Sequence, residues 1–179
     1  MEFPIIINLF GEPSSGKSTA AMDITAKLKR KGINAEYISE FAKDKLYENN
    51  SEVFKHQEYI FGKQSFKMGR CRDRVQVMVC DSPLILCSLY NNSKYLGENF
   101  YRTVRDVFDS YNNRNYLLFR THPYEDEGRF QNEEEAMKVR KELIEMLDDN
   151  KITYKNTTSS EDDCIIIAEE IVKEVRSNE

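Results

Sequence analysis

The stretch "GEPSSGKST", Gly11 to Thr19, carries the sharpest chemical pattern in the chain. Gly11, Gly16, Lys17 and Ser18 fit the spacing G-x-x-x-x-G-K-[S/T], after an apolar run and before a helix-like stretch. Glycine admits backbone angles that a side chain blocks. The amides of Ser14, Ser15, Gly16, Lys17, Ser18 and Thr19 can therefore turn inward onto phosphate oxygens. The start of a helix adds a field that favours anions. Lys17 has the reach for β- and γ-phosphates, and the Ser18 hydroxyl suits Mg²⁺.

Two acids follow strand-like runs. Asp81 closes "VQVMVC" in "VCDSPL". Beside the glycine-rich loop it can hold Mg²⁺ through water, or accept a proton from an attacking hydroxyl. It also suits a helix cap ahead of Ser82 and Pro83. Glu40 ends "YISE" and reads either as a group that orients or deprotonates an acceptor hydroxyl, or as an acid in the first turn of a helix.

Cations able to offset the charge of a migrating phosphoryl group stand further on. Arg129 lies in "HPYEDEGRFQN", His122 to Asn132, whose turn-rich composition predicts an exposed flap of about 122–132. Arg129 can stabilise that charge on closure or pair with Glu125, Asp126 or Glu127. Arg120, just before the flap, is a substrate-binding candidate, and Arg140 on the next helix is a third cation. Gln57 and Gln64, two helical turns apart, share a face and either read an amide or base edge of the acceptor or cover the surface. Nearby Phe54, Tyr59, Phe61 and Phe66 suit stacking on a ring or core packing. Lys67, Arg70 and Arg74 recur at helical spacing in "GKQSFKMGRCRDR" and read as phosphate contacts or as a solvated helix end.

These groups need a frame to bring them together. Apolar strands at Ile5–Phe10, Ala35–Ser39, Val75–Cys80, Tyr116–Arg120 and Ile152–Asn156 alternate with helical stretches at Lys17–Lys31, Phe41–Asn49, Glu52–Gly69, Phe100–Tyr111, Glu133–Asp149 and Asp162–Arg176. That alternation predicts an α/β fold, a parallel sheet covered on both faces, with ligands at the C-terminal ends of the strands. The length of 179 residues fits a single domain, 1–179, with one flap.

Composition narrows the function. The net charge of −5 argues against binding nucleic acid over the whole surface, while leaving room for one basic groove. No apolar run is long enough to span a bilayer. The opening "MEFPIIINLF" reads as a strand rather than a signal peptide, and the cysteine usage makes a reducing, cytoplasmic setting the expected one. The four cysteines form no C-x-x-C pair; Cys80 and Cys164 adjoin apolar runs and read as core residues. The chain is short for a motor ATPase and lacks the N-K-x-D string that GTPases usually carry, which leaves a kinase as the expected class, with ATP and Mg²⁺ as its cofactors.

"GEPSSGKST", "SEFAK", "HQEYIFGKQ", "VCDSPL" and "DEGRF" occur in the order seen in small P-loop kinases. The chain resembles the nicotinamide riboside kinase domain and its bacteriophage ATPase-like relatives, and is more distantly similar to deoxyribonucleoside and thymidylate kinases. This resemblance implies a P-loop NTPase three-layer sandwich with a five-stranded parallel sheet in order 2-3-1-4-5 and a short lid. It implies that Glu40 faces the acceptor, that Asp81 lies near Mg²⁺ and the reacting hydroxyl, and that the loop "NTTSS" lies by the adenine ring. The chain departs from the nicotinamide riboside kinases in carrying "DSP" where they tend to carry D-T-D.

The expected activity is transfer of the γ-phosphoryl group of ATP to a hydroxyl of a nucleoside, a nucleotide or a related acceptor. Some phage relatives are expected to act on a hydroxymethyl pyrimidine within DNA, which would place such a protein in the host cytoplasm. The reading from another class is a nucleotide-operated switch or accessory ATPase that works through a partner.

Overall fold

The computed structural model describes residues 4–48, 50–124 and 132–178. The strands are β1 (Ile5–Phe10), β2 (Ala35–Ile38), β3 (Val77–Cys80), β4 (Asn112–Phe119) and β5 (Lys155–Thr158). They form one sheet in the order β2-β3-β1-β4-β5, and every pairing is parallel. This is the sheet expected from the sequence. Crossovers keep one hand, so the C-terminal ends of β1, β2 and β3 open on one edge.

The helices are α1 (Lys17–Arg30), α2 (Phe41–Tyr47), α3 (Gln57–Gly69), α4 (Leu86–Leu89), α5 (Glu98–Asp109), α6 (Glu133–Asp149) and α7 (Glu161–Ser177). On one face, α1 and α7 pack their apolar stripes, among them Ile24, Leu28, Ile167 and Ile171, onto Ile5, Ile7, Leu9 and Val79. Clusters containing Phe10, Val104, Leu117 and Leu143, and Ile6, Met68 and Met78, cover the other face. β1 and β3 are buried along their whole length, as strands covered on both faces of a parallel sheet are. Cys80 and Cys164 lie in these clusters.

The structure corrects three boundaries. The stretch 52–69 is two elements: a 3-10 helix at Ser51–Lys55, then α3, with His56 between them in a non-helical conformation (φ −115°, ψ 72°). β4 begins four residues earlier than its apolar part, since the polar run from Asn112 to Asn115 pairs with Ile5 to Asn8. There Asn8, buried, donates to Asn113 and Asn115 at 2.8 and 3.0 Å, which satisfies polar groups inside the sheet. β5 runs over Lys155–Thr158 rather than 152–156, because Ile152 packs into the core ahead of the strand. Among the described residues no helix is long and apolar enough to cross a membrane.

Candidate active site

The loop between β1 and α1 is wound for a phosphate. Gly16 has φ 85°, and a Cβ there would run into Ser159 of the β5–α7 loop, so only glycine fits. Gly11 (φ 153°) is confined in the same way by Ser15 and the Leu118 carbonyl. Ser14 takes the left-handed conformation at φ 64°, unusual for a non-glycine and typical of strained functional turns. The Lys17 ammonium lies across the loop, donating to the carbonyls of Gly11 at 2.9 Å and Glu12 at 2.8 Å.

Asp81 follows β3 directly, and β3 neighbours β1, so its carboxylate arrives beside the start of α1. It is 2% exposed. Its Oδ2 accepts from the Ser18 hydroxyl at 2.7 Å and from the Tyr37 hydroxyl at 2.6 Å. Its Oδ1 is buried with no hydrogen-bond partner among the described residues. A buried carboxylate oxygen without a donor is costly unless something else meets it. A hard cation, or water held by one, answers that need, and the Ser18 hydroxyl keeps its lone pairs for the same ion. The residues present thus fit Mg²⁺ at Ser18 and Asp81. No cluster of three or more His, Cys, Asp or Glu able to hold a metal occurs among the described residues.

A cavity of about 630 Å³ runs from this loop to the acceptor side. Its far wall is formed by Glu40, Lys43, Gln57, Ile60, Leu86 and Tyr90. Glu40 stands between β2 and α2, and its charge is felt by Cys87 and Tyr90. Burial first, then Glu40, pushes the Cys87 thiol up to about 12 and raises the Tyr90 phenol, so both stay protonated.

The predicted site residues divide by location. Gly11, Ser14, Ser15, Gly16, Lys17, Ser18, Thr19, Asp81, Glu40 and Gln57 line one cavity. Gln57 is 4% exposed and donates to the Phe54 carbonyl at 3.1 Å, while the same side chain borders the cavity. Gln64 shares its face but does not reach the cavity. Its Oε1 accepts from the Phe41 amide at 3.1 Å and its Nε2 lies 3.6 Å from Cys80 Sγ, so it ties the start of α2 to β3. Neither glutamine covers the surface: their shared face is the buried one.

Arg70 is exposed at the end of α3 remote from Gln57, about 20 Å along the helix. Arg74 is exposed beside it, and its carbonyl accepts from Asn34 ahead of β2. These cations therefore lie at the N-terminal edge of the sheet, as a solvated helix end. Lys67 instead donates to Ser39 at 3.2 Å. Phe66 is 70% exposed, Phe61 packs edge-on against Phe100, and only Phe54 of the four aromatics lines the cavity.

Arg120 pairs with Glu133 at 2.7 Å and stacks on Tyr124. Arg129, with most of the predicted flap, lies outside the described residues. Arg140 binds the Glu12 carboxylate at 2.6 Å and the Leu118 carbonyl at 3.0 Å, over the Phe119 ring. It clamps the glycine-rich loop to α6 rather than facing the cavity. In the loop after β5, Ser160 caps α7 and Thr158 bonds Asp163, which holds that carboxyl below its usual range.

Sequence reasoning missed Tyr37 and the pairing of Glu12 with Arg140. Tyr37 pairs in register with Val79 of β3, and only that pairing of strands brings its hydroxyl to Asp81.

The strand order, the wound loop and the strand-end acid define a P-loop NTPase. A family profile described as an AAA domain matches residues 6–162, and the chain belongs to that family. No curated protein sequence matches it. Among solved structures, deoxyadenosine kinase from M. mycoides, with the products dCMP and dCDP bound, aligns at TM-score 0.53 and 17% identity over 96% of this chain and 99% of the other. The same enzyme with dATP bound gives 0.52 and 16%, over 94% and 99%. NadR in complex with NAD and AMP-PNP gives 0.60 and 13% over 97% of this chain, which spans about half (49%) of NadR. At such identities the likeness is one of fold.

Proposed function

We propose that the protein is an ATP- and Mg²⁺-dependent kinase that phosphorylates a hydroxyl of a nucleoside or nucleotide. One observation carries this: the phosphate loop and Glu40 line the same continuous cavity, of a size suited to a small organic ligand. A donor phosphate and an acceptor hydroxyl can therefore meet without crossing solvent. The fold shared with a deoxyadenosine kinase supports the same reading.

In this reading the amides from Ser14 to Thr19 hold the phosphate tail, and Lys17 leaves the loop carbonyls for the β- and γ-phosphates. Ser18 and Asp81 hold Mg²⁺, which when bound supplies positive charge to the phosphate oxygens. Glu40 orients the acceptor hydroxyl and takes its proton. Gln57 reads an amide or base edge from the apolar wall. The charge-stabilising role expected of Arg129 falls outside the described residues, and Arg120, paired with Glu133, stands outside the cavity.

A hydroxymethyl pyrimidine within DNA is the second form of acceptor. Arg70 and Arg74, which would steer a strand, stand at the opposite edge of the sheet, so a free nucleoside or nucleotide is favoured. The competing class, a nucleotide-operated switch, gives no reason for a wall of Gln57, Ile60, Leu86 and Tyr90 facing the phosphate loop.

Thermal-shift titration separates the two classes. A kinase is stabilised by a non-hydrolysable ATP analogue with Mg²⁺ and further by an acceptor nucleoside or nucleotide, each ligand adding to the folded state. A switch responds to the nucleotide alone, and that result would overturn the proposal.

A further inference from the structure

Asp81 is held unevenly. Two hydroxyls, from Ser18 and Tyr37, donate to Oδ2, whereas buried Oδ1 has no partner among the described residues. Three elements meet there: β2 supplies Tyr37, β3 leads into Asp81, and α1 begins with Lys17 and Ser18. Tyr37 pairs in register with Val79, two residues before Asp81, and its ring packs against the cluster under α1. Tyr37 does not line the cavity, so any action it has on a ligand passes through Asp81.

We propose that Tyr37 is a positioning residue for the Mg²⁺ site: its hydroxyl fixes Asp81 by Oδ2 and so presents Oδ1 to the cation or to a water on it. This rests on the kinase reading of the cavity. With Ser18 alone, the carboxylate keeps one anchor, and that anchor is itself a ligand-side group. The hydroxyl of Tyr37 comes from β2, an element separate from the α1 turn that carries Ser18. Hydrogen-bond partners behind a metal ligand commonly govern its affinity about as strongly as a weak ligand does.

Calorimetric binding of a non-hydrolysable ATP analogue, with and without Mg²⁺, tests this without turnover. Tyr37→Phe keeps the ring and removes the hydroxyl. The expected result is unchanged affinity without Mg²⁺ and about a tenfold loss with it. In an Asp81→Asn background, Tyr37→Phe should then add nothing further. Equal losses with and without Mg²⁺ would mean a merely structural tyrosine. Wild-type binding by Tyr37→Phe, or its full effect persisting in Asp81→Asn, would also overturn the proposal. If Mg²⁺ fails to tighten binding even to the wild-type protein, the metal site itself is refuted, which is a different failure.

Discussion

The two ends of the cavity are built differently. At the phosphate-loop end, buried Asp81 is tied to α1 and β2 and buried Glu12 to α6 through Arg140, while Lys17 bonds back to its own loop. At the other end, the wall comes from α2, the 3-10 helix at Ser51–Lys55, the first turn of α3 and α4, with Glu40, Lys43, Gln57 and Asn92 as polar points among apolar side chains. The first arrangement fixes one geometry, as the proposed phosphate tail, an invariant ligand, would require. The second sets a shape with few polar points, the usual means of selecting a small molecule.

Substitutions can break that contrast, and the largest effect is expected at the donor end. Lys17→Ala should lower kcat about a thousandfold, by analogy with the loss of a charge-stabilising donor, with a circular dichroism spectrum like that of the wild type. Normal turnover would remove the loop from the chemistry. Glu40→Gln should lower kcat about a hundredfold while leaving the affinity for an ATP analogue unchanged. A fall in that affinity instead would assign Glu40 to the donor end.

Arg140→Ala probes the clamp. The pair is buried on the Glu12 side and one-fifth exposed on the arginine side. Its loss should cost about 2 kcal/mol, less than for a fully enclosed pair, and lower the melting temperature by about 6 °C. Glu12→Gln with Arg140→Ala should cost no more than the arginine change alone; additive losses would show that the two side chains act separately. The smallest effect belongs to the acceptor wall. Gln57→Leu should raise KM for the acceptor about fivefold, the worth of one hydrogen bond, with KM for ATP unmoved.

The same contrast explains what could be read from the residues. The glycine-rich loop is local: glycines, lysine and serine at fixed spacing, with a strand before and a helix after, suffice to place it. Asp81 and Glu40 were legible because apolar runs end on them. α6 was legible as a charged amphipathic stretch, and the structure adds the reciprocal box of Asn132 and Glu135 at its start. Strand order came from resemblance, since nothing in five apolar runs states which neighbours which. Contacts between distant elements stayed hidden for the same reason. Gln64 reads as a surface glutamine until α2 and β3 close around it, and Tyr37 as a routine strand aromatic until β3 lies beside it. The polar start of β4 was invisible because pairing with β1 overrode its composition.

The central claim is that one cavity brings an ATP phosphate to an acceptor hydroxyl. Its most direct test is incubation of the protein with γ-labelled ATP, Mg²⁺ and pools of nucleosides, nucleotides and hydroxymethylated DNA. The account predicts label on a nucleoside or nucleotide hydroxyl, lost in Lys17→Ala and strongly reduced in Glu40→Gln. Label appearing only as inorganic phosphate, whatever acceptor is offered, would contradict it.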